Sequence, residues 1–291
     1  MQIDLNNINA PNEKVLEKHG YFEREGKHLY CAEYLPASGA ESGFVLCSPF
    51  GEEKVRTLRV YVSFARALAS LGVAVICFDY YGDGDSEGNF EEATFDDRTA
   101  DIRAIYNDFR TKHALKKMGL MGLRWGGTLA ALLSEELQPE TLILWEPVID
   151  TAKYFYDHLR AFLASQMLIE GKVTRNREEL IKELEGGKIL TVEGYNLTGR
   201  FFFGAREATL KGRKYDYRGN SLIIQISPSP GKIRPELEEL KSNLGNSELV
   251  SLPREFEWEK TETWRPAPPQ LFGETFNFLD KNGFFGRNTQ S

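Results

Sequence analysis

The residues best suited to chemistry converge on the run Gly122-Leu123-Arg124-Trp125-Gly126-Gly127. A short apolar stretch (Leu120, Met121) precedes it and a small-residue stretch (Thr128, Leu129, Ala130, Ala131, Leu132) follows, which predicts a strand, a sharp turn and a helix. Glycines at this spacing frame the Gly-x-Ser-x-Gly elbow that presents a nucleophilic serine, because the turn leaves no room for side chains beside it. Here the central residue is arginine, whose guanidinium stays protonated and cannot attack a carbonyl. It can hold an anion instead. The following helix offers unpaired N–H groups and the positive end of its dipole, so a guanidinium at that place makes a two-point receptor for a carboxylate or phosphate.

Three glutamates are expected near Arg124: Glu146, after the apolar run Leu142-Ile143-Leu144-Trp145, and Glu52 and Glu53, after Phe44-Val45-Leu46-Cys47. A desolvated guanidinium needs such a partner, so an internal salt bridge that plugs the site and leaves a scaffold or interaction protein is one alternative to the anion receptor. Another keeps turnover. A carboxylate (Glu146, Glu52, Glu53 or Asp83) would act as general base on a bound water while Arg124 and the elbow amides stabilise negative charge, giving hydrolysis of an ester, amide or glycoside. Arg124 and Glu146 are therefore the candidate catalytic residues. Ser48, Glu52, Glu53, Arg124, Trp125, Trp145 and Trp258 are the candidate ligand-binding set, with the rings either stacking on a ligand or filling a vacated pocket. Neither a phosphate-cradling glycine loop at the first strand nor a His-rich ligand set is present, so no cofactor and no metal are expected.

Elements that would position these residues follow from hydrophobic period. Tyr21 to Glu25 and His28 to Tyr34 flank Gly26-Lys27 and read as an antiparallel hairpin at a sheet edge. Buried strands are predicted at Phe44–Cys47, Val73–Phe78, Leu142–Trp145, Leu222–Ile226 and Glu248–Leu252. Helices alternate with them at Leu58–Ala69, Phe95–Phe109, Pro235–Leu244 and Leu271–Asn282. Such alternation gives an α/β class with a mostly parallel sheet and right-handed crossovers. From Thr151 to about Gly219 the pattern changes to charged, aromatic-rich helices, an insertion placed where a lid over the strand ends would sit. The expected organisation is core residues 1–150, a helical lid at 151–219 with Phe201-Phe202-Phe203 anchoring it, and core residues 220–291. Trp264 to Pro269 reads as a stiff connector.

The 291 residues suffice for one large domain with such an insertion, and a formal net charge of −7 argues against binding nucleic acid or an anionic membrane through general charge. Cys31, Cys47 and Cys77 are widely spaced in apolar surroundings and read as buried free thiols. With no apolar run of about 18 residues and no basic-then-apolar opening, the expectation is a cytoplasmic protein without a transmembrane segment, whose partners are a small-molecule or sugar-like ligand or another protein.

Taken with the elbow, these elements resemble the α/β-hydrolase fold across nearly the whole chain. Asp79-Tyr80-Tyr81-Gly82-Asp83-Gly84-Asp85-Ser86-Glu87-Gly88 is similar to the Asp-x-x-Gly-x-Gly-x-Ser-x-Gly turn of serine-aminopeptidase-like members, with Asp79 and Ser86 in structural roles. Pro49-Phe50-Gly51-Glu52-Glu53, the elbow, Leu144-Trp145-Glu146-Pro147-Val148 and Val192-Glu193-Gly194-Tyr195 together resemble the hydrolases associated with exosortase and exopolysaccharide gene clusters, which carry arginine at the elbow. This resemblance implies a hydrolase by fold and an accessory role in exopolysaccharide production or export. In the fold, a catalytic acid follows the strand after the lid and a histidine follows the last strand. Those places read Ser227-Pro228-Ser229-Pro230-Gly231 and Pro253-Arg254-Glu255-Phe256-Glu257-Trp258-Glu259, so a Ser-His-Asp relay is not expected. Of the four histidines, His19, His28 and His113 read as surface residues, and His158 on the lid is placed to hang over the pocket.

Overall fold

The computed structural model describes residues 12–170, 175–256, 258 and 267–285. Strands β1 (Val15–Arg24) and β2 (Lys27–Pro36) form the edge hairpin, turning through Glu25 and Gly26, both at positive φ. Strand and helix then alternate: β3 (Ser42–Cys47), α1 (Glu52–Ser70), β4 (Val73–Phe78), α2 (Phe95–Lys112), β5 (Lys117–Leu123), α3 (Trp125–Leu137) and β6 (Thr141–Trp145). The segment between β6 and the next strand of the sheet, the expected lid, holds α4 (Thr151–Glu170), α5 (Arg177–Glu185), β7 (Leu190–Val192), β8 (Tyr195–Leu197) and α6 (Gly199–Glu207). After it come β9 (Asn220–Ser227), α7 (Pro235–Leu244), β10 (Ser247–Pro253) and α8 (Pro269–Lys281).

Eight of these strands form one sheet in the order β1-β2-β4-β3-β5-β6-β9-β10, antiparallel at β1/β2 and β2/β4 and parallel from β4 onward. The central strands are buried throughout, apart from Lys117 at the start of β5, which is why they read as continuous apolar runs rather than alternating ones. Alternation sorts their side chains onto two cores. Val45, Leu120, Leu142 and Leu144 pack under α2, α3, α7 and the lid, whereas Phe44, Leu46, Ile143 and Trp145 pack under α1 and α8.

Local chemistry sets the element ends. Thr94 caps α2 with a reciprocal bond to Asp97. In the loop after β4, Asp79 accepts the Asp85 N–H and Ser86 Oγ bridges the Tyr30 N–H and the Asp79 carbonyl, so both residues tie backbone as their types suggest. Tyr61 on α1 holds the sheet ends together: its hydroxyl donates to the Cys47 carbonyl at 2.8 Å and accepts from the Leu123 N–H at 2.8 Å.

The lid departs from the helices-only expectation, because β7 and β8 pair as a small antiparallel hairpin. Its turn residues, Glu193 (φ 50°) and Gly194 (φ 90°), are both left-handed, as a two-residue hairpin turn requires. Phe201 and Phe202 are fully buried and dock α6 against the core. Cys31, Cys47 and Cys77 are unpaired; the first two are buried and Cys77 is partly exposed. Trp264, Arg265 and Pro266 of the proline-rich connector, and the first eleven residues, lie outside the described residues.

A β-carbon on Gly126 would lie 2.1 Å from the Cys47 carbonyl oxygen, and backbone on both sides leaves nothing free to yield. Gly126→Ala is therefore expected to lower unfolding free energy by about 2–3 kcal/mol in a urea titration, whereas Ala at Gly20, an exposed position of β1 with open space around it and no positive φ, is expected to cost less than half of that.

Candidate functional site

The turn between β5 and α3 is as tight as its glycines imply. Arg124 sits at the helix N-cap with φ 53° and ψ −124°, a conformation that costs a non-glycine residue about 1–2 kcal/mol. It is held there by backbone bonds: the Arg124 N–H donates to the Trp145 carbonyl at 2.9 Å, and the Arg124 carbonyl accepts from Val148 N–H at 3.3 Å. A β-carbon at Gly122 would collide with the backbone of Gly126, so the two glycines let strand and helix cross in contact.

The Arg124 side chain leaves this turn toward the first turn of α1. Its Nε donates to Glu53 Oε1 at 3.2 Å, and the other Glu53 oxygen accepts the Tyr154 hydroxyl at 2.9 Å. Two rings flank the guanidinium, Tyr154 with its centroid 5.5 Å from the Cζ and Trp258 at 5.3 Å. Burial works against the charge, but the Glu53 carboxylate, Tyr154 and Glu146 outweigh it and raise the Arg124 pKa above its ordinary value. The Tyr154 hydroxyl is pushed well above its usual range by burial and then by the neighbouring Glu53 charge, so it stays a donor. The side chain of Arg124 remains 17 % exposed, and neither terminal nitrogen has a hydrogen-bond partner among the described residues. Among the described residues, only Nε of the guanidinium is engaged by a protein acceptor.

Of the three glutamates expected near Arg124, Glu53 makes the contact. Glu52 is one residue earlier on the helix, points elsewhere and lies 3.5 Å from Arg56. Glu146 stands at the end of β6 with φ 45°, and both its oxygens are occupied: Oε2 accepts the Ile226 N–H at 2.6 Å and Oε1 accepts Arg234 Nη2 at 2.6 Å. It staples β6 to β9 and to the start of α7. Burial raises its pKa, and the cations Arg234, Arg124 and Arg254 with the Ile226 N–H offset part of that. Asp83, also considered as a base, lies 3.4 Å from Lys54 and 3.9 Å from Arg98.

The aromatic candidates separate. Trp258, expected to meet a ligand, is instead buried in the core under α1 and α8, with Arg124 5.3 Å and the Arg254 guanidinium 4.7 Å from its ring. Trp125 is buried against Phe50, Phe155 and Phe201 and forms the floor under the lid. Trp145 does not join them. As the next residue after Leu144 on a strand it faces the opposite side of the sheet, where it packs on Phe64 and Phe272 and donates to Thr275 Oγ1 at 3.1 Å. Its expected place against a ligand is corrected to one in the core. Ser48 is buried after β3, where its carbonyl and that of Cys47 close on Gly126. Ser227 turns back on its own loop, donating to the Ser229 carbonyl.

The histidines also separate. His19 bonds Tyr30, His28 bonds Glu87, and His113 shares Glu33 with Lys112, all on the β-hairpin side of the sheet. His158 on α4 packs edge-on to Phe50 (5.1 Å) and Tyr154 (4.7 Å), and its Nδ1 is 3.1 Å from Glu193 Oε2. That bond, the largest influence, holds the Glu193 carboxyl below its ordinary pKa. Glu193 was not among the expected site residues. Its signal in the sequence is Glu193-Gly194 between β-formers, a hairpin turn that brings the carboxylate up to the lid helix.

The overall fold is also found in known proteins. Residues 54–178 match the serine aminopeptidase S33 family, a span running from α1 to the start of α5 and including the elbow. Solved structures that resemble the chain over most of its length include the Butyrivibrio proteoclasticus protein Est1E with ferulic acid bound, at TM-score 0.65 and 16% identity, covering 90% of this chain and 98% of that one. An esterase of Pyrococcus furiosus superposes at TM-score 0.59 with 14% identity, covering 98% of this chain and 96% of its own. Proline iminopeptidase of Mycobacterium smegmatis does so at 0.55 and 14%, covering 91% and 98%.

This is an α/β-hydrolase fold.

No curated protein matches the chain by sequence. Within the α/β-hydrolase arrangement, the elbow position is Arg124, β9 is followed by Ser227 to Gly231, and β10 is followed by Arg254, Glu255, Phe256 and Trp258 among the described residues. No described helix is long and apolar enough to cross a membrane, and no described group of His, Cys, Asp or Glu is arranged to hold a metal ion.

Removing Glu53 strands a buried cation and the Tyr154 hydroxyl together. Glu53→Ala is expected to cost about 3–5 kcal/mol of unfolding free energy, against less than about 1 kcal/mol for Glu52→Ala, both read from urea denaturation. Equal costs for the two would contradict the pairing.

Proposed function

We propose that this α/β-hydrolase-fold protein uses the elbow as an anion receptor, with Arg124 gripping the carboxylate of a small acidic ligand, an acidic sugar in particular. The observation that carries this reading is the divided guanidinium: Glu53 takes Nε, the Tyr154 and Trp258 rings lie 5.5 and 5.3 Å from its Cζ, and both terminal nitrogens are left without a protein partner among the described residues. A planar fork held this way has lost its rotamer freedom before binding, so two parallel bonds to a carboxylate form at less entropic cost. First-turn N–H groups of α3 add to the same field.

The internal bridge and the receptor are then one device. A guanidinium bonded through Nε alone keeps its remaining donors. Trp258 beside it is buried and serves as packing for the cation rather than as a surface for a ligand. The resemblance to exosortase-associated proteins supports a role beside exopolysaccharide production, with no turnover by a serine relay, since arginine replaces the nucleophile and neither usual partner position carries its residue. Glu146 as general base has less support, because both its oxygens are engaged in joining strands. The runner-up, hydrolysis, needs another base.

Glucuronate, a monosaccharide with a single carboxylate, is expected to bind more tightly than glucose by isothermal titration calorimetry. Arg124→Ala should weaken glucuronate binding at least tenfold and leave glucose unaffected. Arg124→Lys should restore little, because an ammonium lacks the fork. Unchanged glucuronate affinity in Arg124→Ala would contradict the proposal.

A further inference from the structure

Among the described residues, His158 has features that the site as described so far does not use. Its ring lies against Tyr154 and Phe50, and these two side chains in turn pack on the elbow: Tyr154 flanks Arg124, and Phe50 meets Trp125 edge-on at 5.6 Å. His158 follows Tyr154 by four residues on α4 and so shares its face. The side chain is 14 % exposed, enough to meet a bound molecule but not a surface group. With Nδ1–H donated to Glu193, the lone pair sits on Nε2, and Nε2 has no hydrogen-bond partner among the described residues. The other histidines next to carboxylates differ: His28 and its Glu87 are both more than half exposed, and Lys112 already neutralises the Glu33 of His113, at 2.6 Å.

We propose that His158 and Glu193 are a base and its orienting carboxylate supplied from the lid, and that they let this site hydrolyse esters whose acid part carries a free carboxylate. The inference rests on the reading of Arg124 as the carboxylate grip. The base and orienter of a hydrolytic relay are here carried by α4 and the β7–β8 turn, and water takes the part of the attacking oxygen. His158 Nε2 accepts a proton from water as the water oxygen bonds to the acyl carbon. The carbonyl oxygen takes up the negative charge, facing the first-turn N–H groups of α3. The acyl carbon–oxygen bond then breaks, the leaving oxygen takes the proton from Nε2, and acid and alcohol are released with His158 neutral again. Glu193 does not touch the reacting atoms; it is a positioning residue that fixes the ring tautomer and offsets the charge on the protonated imidazole.

The probe is the mono-4-nitrophenyl ester of glutarate, with 4-nitrophenyl butyrate as its neutral counterpart and glutarate binding followed by calorimetry. Saturable release of nitrophenolate from the glutarate ester is expected. His158→Gln and His158→Asn should each lower kcat at least 100-fold with KM unchanged, and Glu193→Gln about tenfold with KM unchanged. Unfolding midpoints within 2 °C of the parent exclude loss of fold as the cause; if one His158 variant fails that check, the other decides. Glutarate binding that depends on Arg124, combined with no ester turnover or with kcat retained in the His158 variant, overturns this inference and leaves the Arg124 reading standing. His158-dependent hydrolysis of both esters, with glutarate affinity indifferent to Arg124→Ala, supports the base and overturns the grip.

Discussion

One ion pair organises the site: Glu53 on the first turn of α1 with Arg124 at the mouth of α3. A guanidinium placed by a strained turn beneath a lid cannot stay charged without an acceptor, and it cannot lose its proton. Glu53 supplies the acceptor with one oxygen and takes the Tyr154 hydroxyl with the other, so the pair joins the core helix, the elbow and the lid helix α4 in one hydrogen-bonded unit. Its geometry also settles what remains available. Because the carboxylate engages Nε, the paired arginine keeps two terminal nitrogens without a protein acceptor among the described residues.

A second buried carboxylate, Glu146, does different work a short way off. It accepts a backbone N–H of β9 and the Arg234 guanidinium, and thereby holds the ends of adjacent parallel strands in register with the start of α7. Two acids of the same kind near the same cation have thus divided, one orienting the arginine and the other closing the sheet. The division follows from where each leaves the backbone: Glu146 from a strand end in a left-handed conformation, Glu53 from a helix whose first turn favours negative charge.

Much of this was legible in the residues. The buried strands declared themselves as apolar runs, and the glycines at 122 and 126 announced a turn that the backbone contacts require. What sequence left open was phase and reach. Glu52 and Glu53 differ by one helical step, about 100°, and nothing local says which faces the elbow. Trp145 read as a strand-end aromatic near the pocket, yet period-two alternation sends it to the α8 side, a fact visible only once the neighbouring Leu144 is assigned a face. The β7–β8 hairpin is three residues per strand, too short for its alternation to stand out among helices, and the His158–Glu193 contact spans 35 positions of chain that only the folded lid brings together.

The fold is shared with esterases and a peptidase at low identity, and such likeness carries no chemistry of its own. On the reading proposed here, the chemistry lies in a cation whose Nε is held by Glu53 and whose terminal nitrogens are left for a ligand. The most direct measurement is a crystal structure of the protein grown with glucuronate. The account predicts the sugar carboxylate bonded in parallel to both terminal nitrogens of Arg124, with Nε still on Glu53. A carboxylate seated elsewhere, or an Arg124 whose terminal nitrogens have turned inward onto Glu53 or Glu146 in the presence of the ligand, would contradict it.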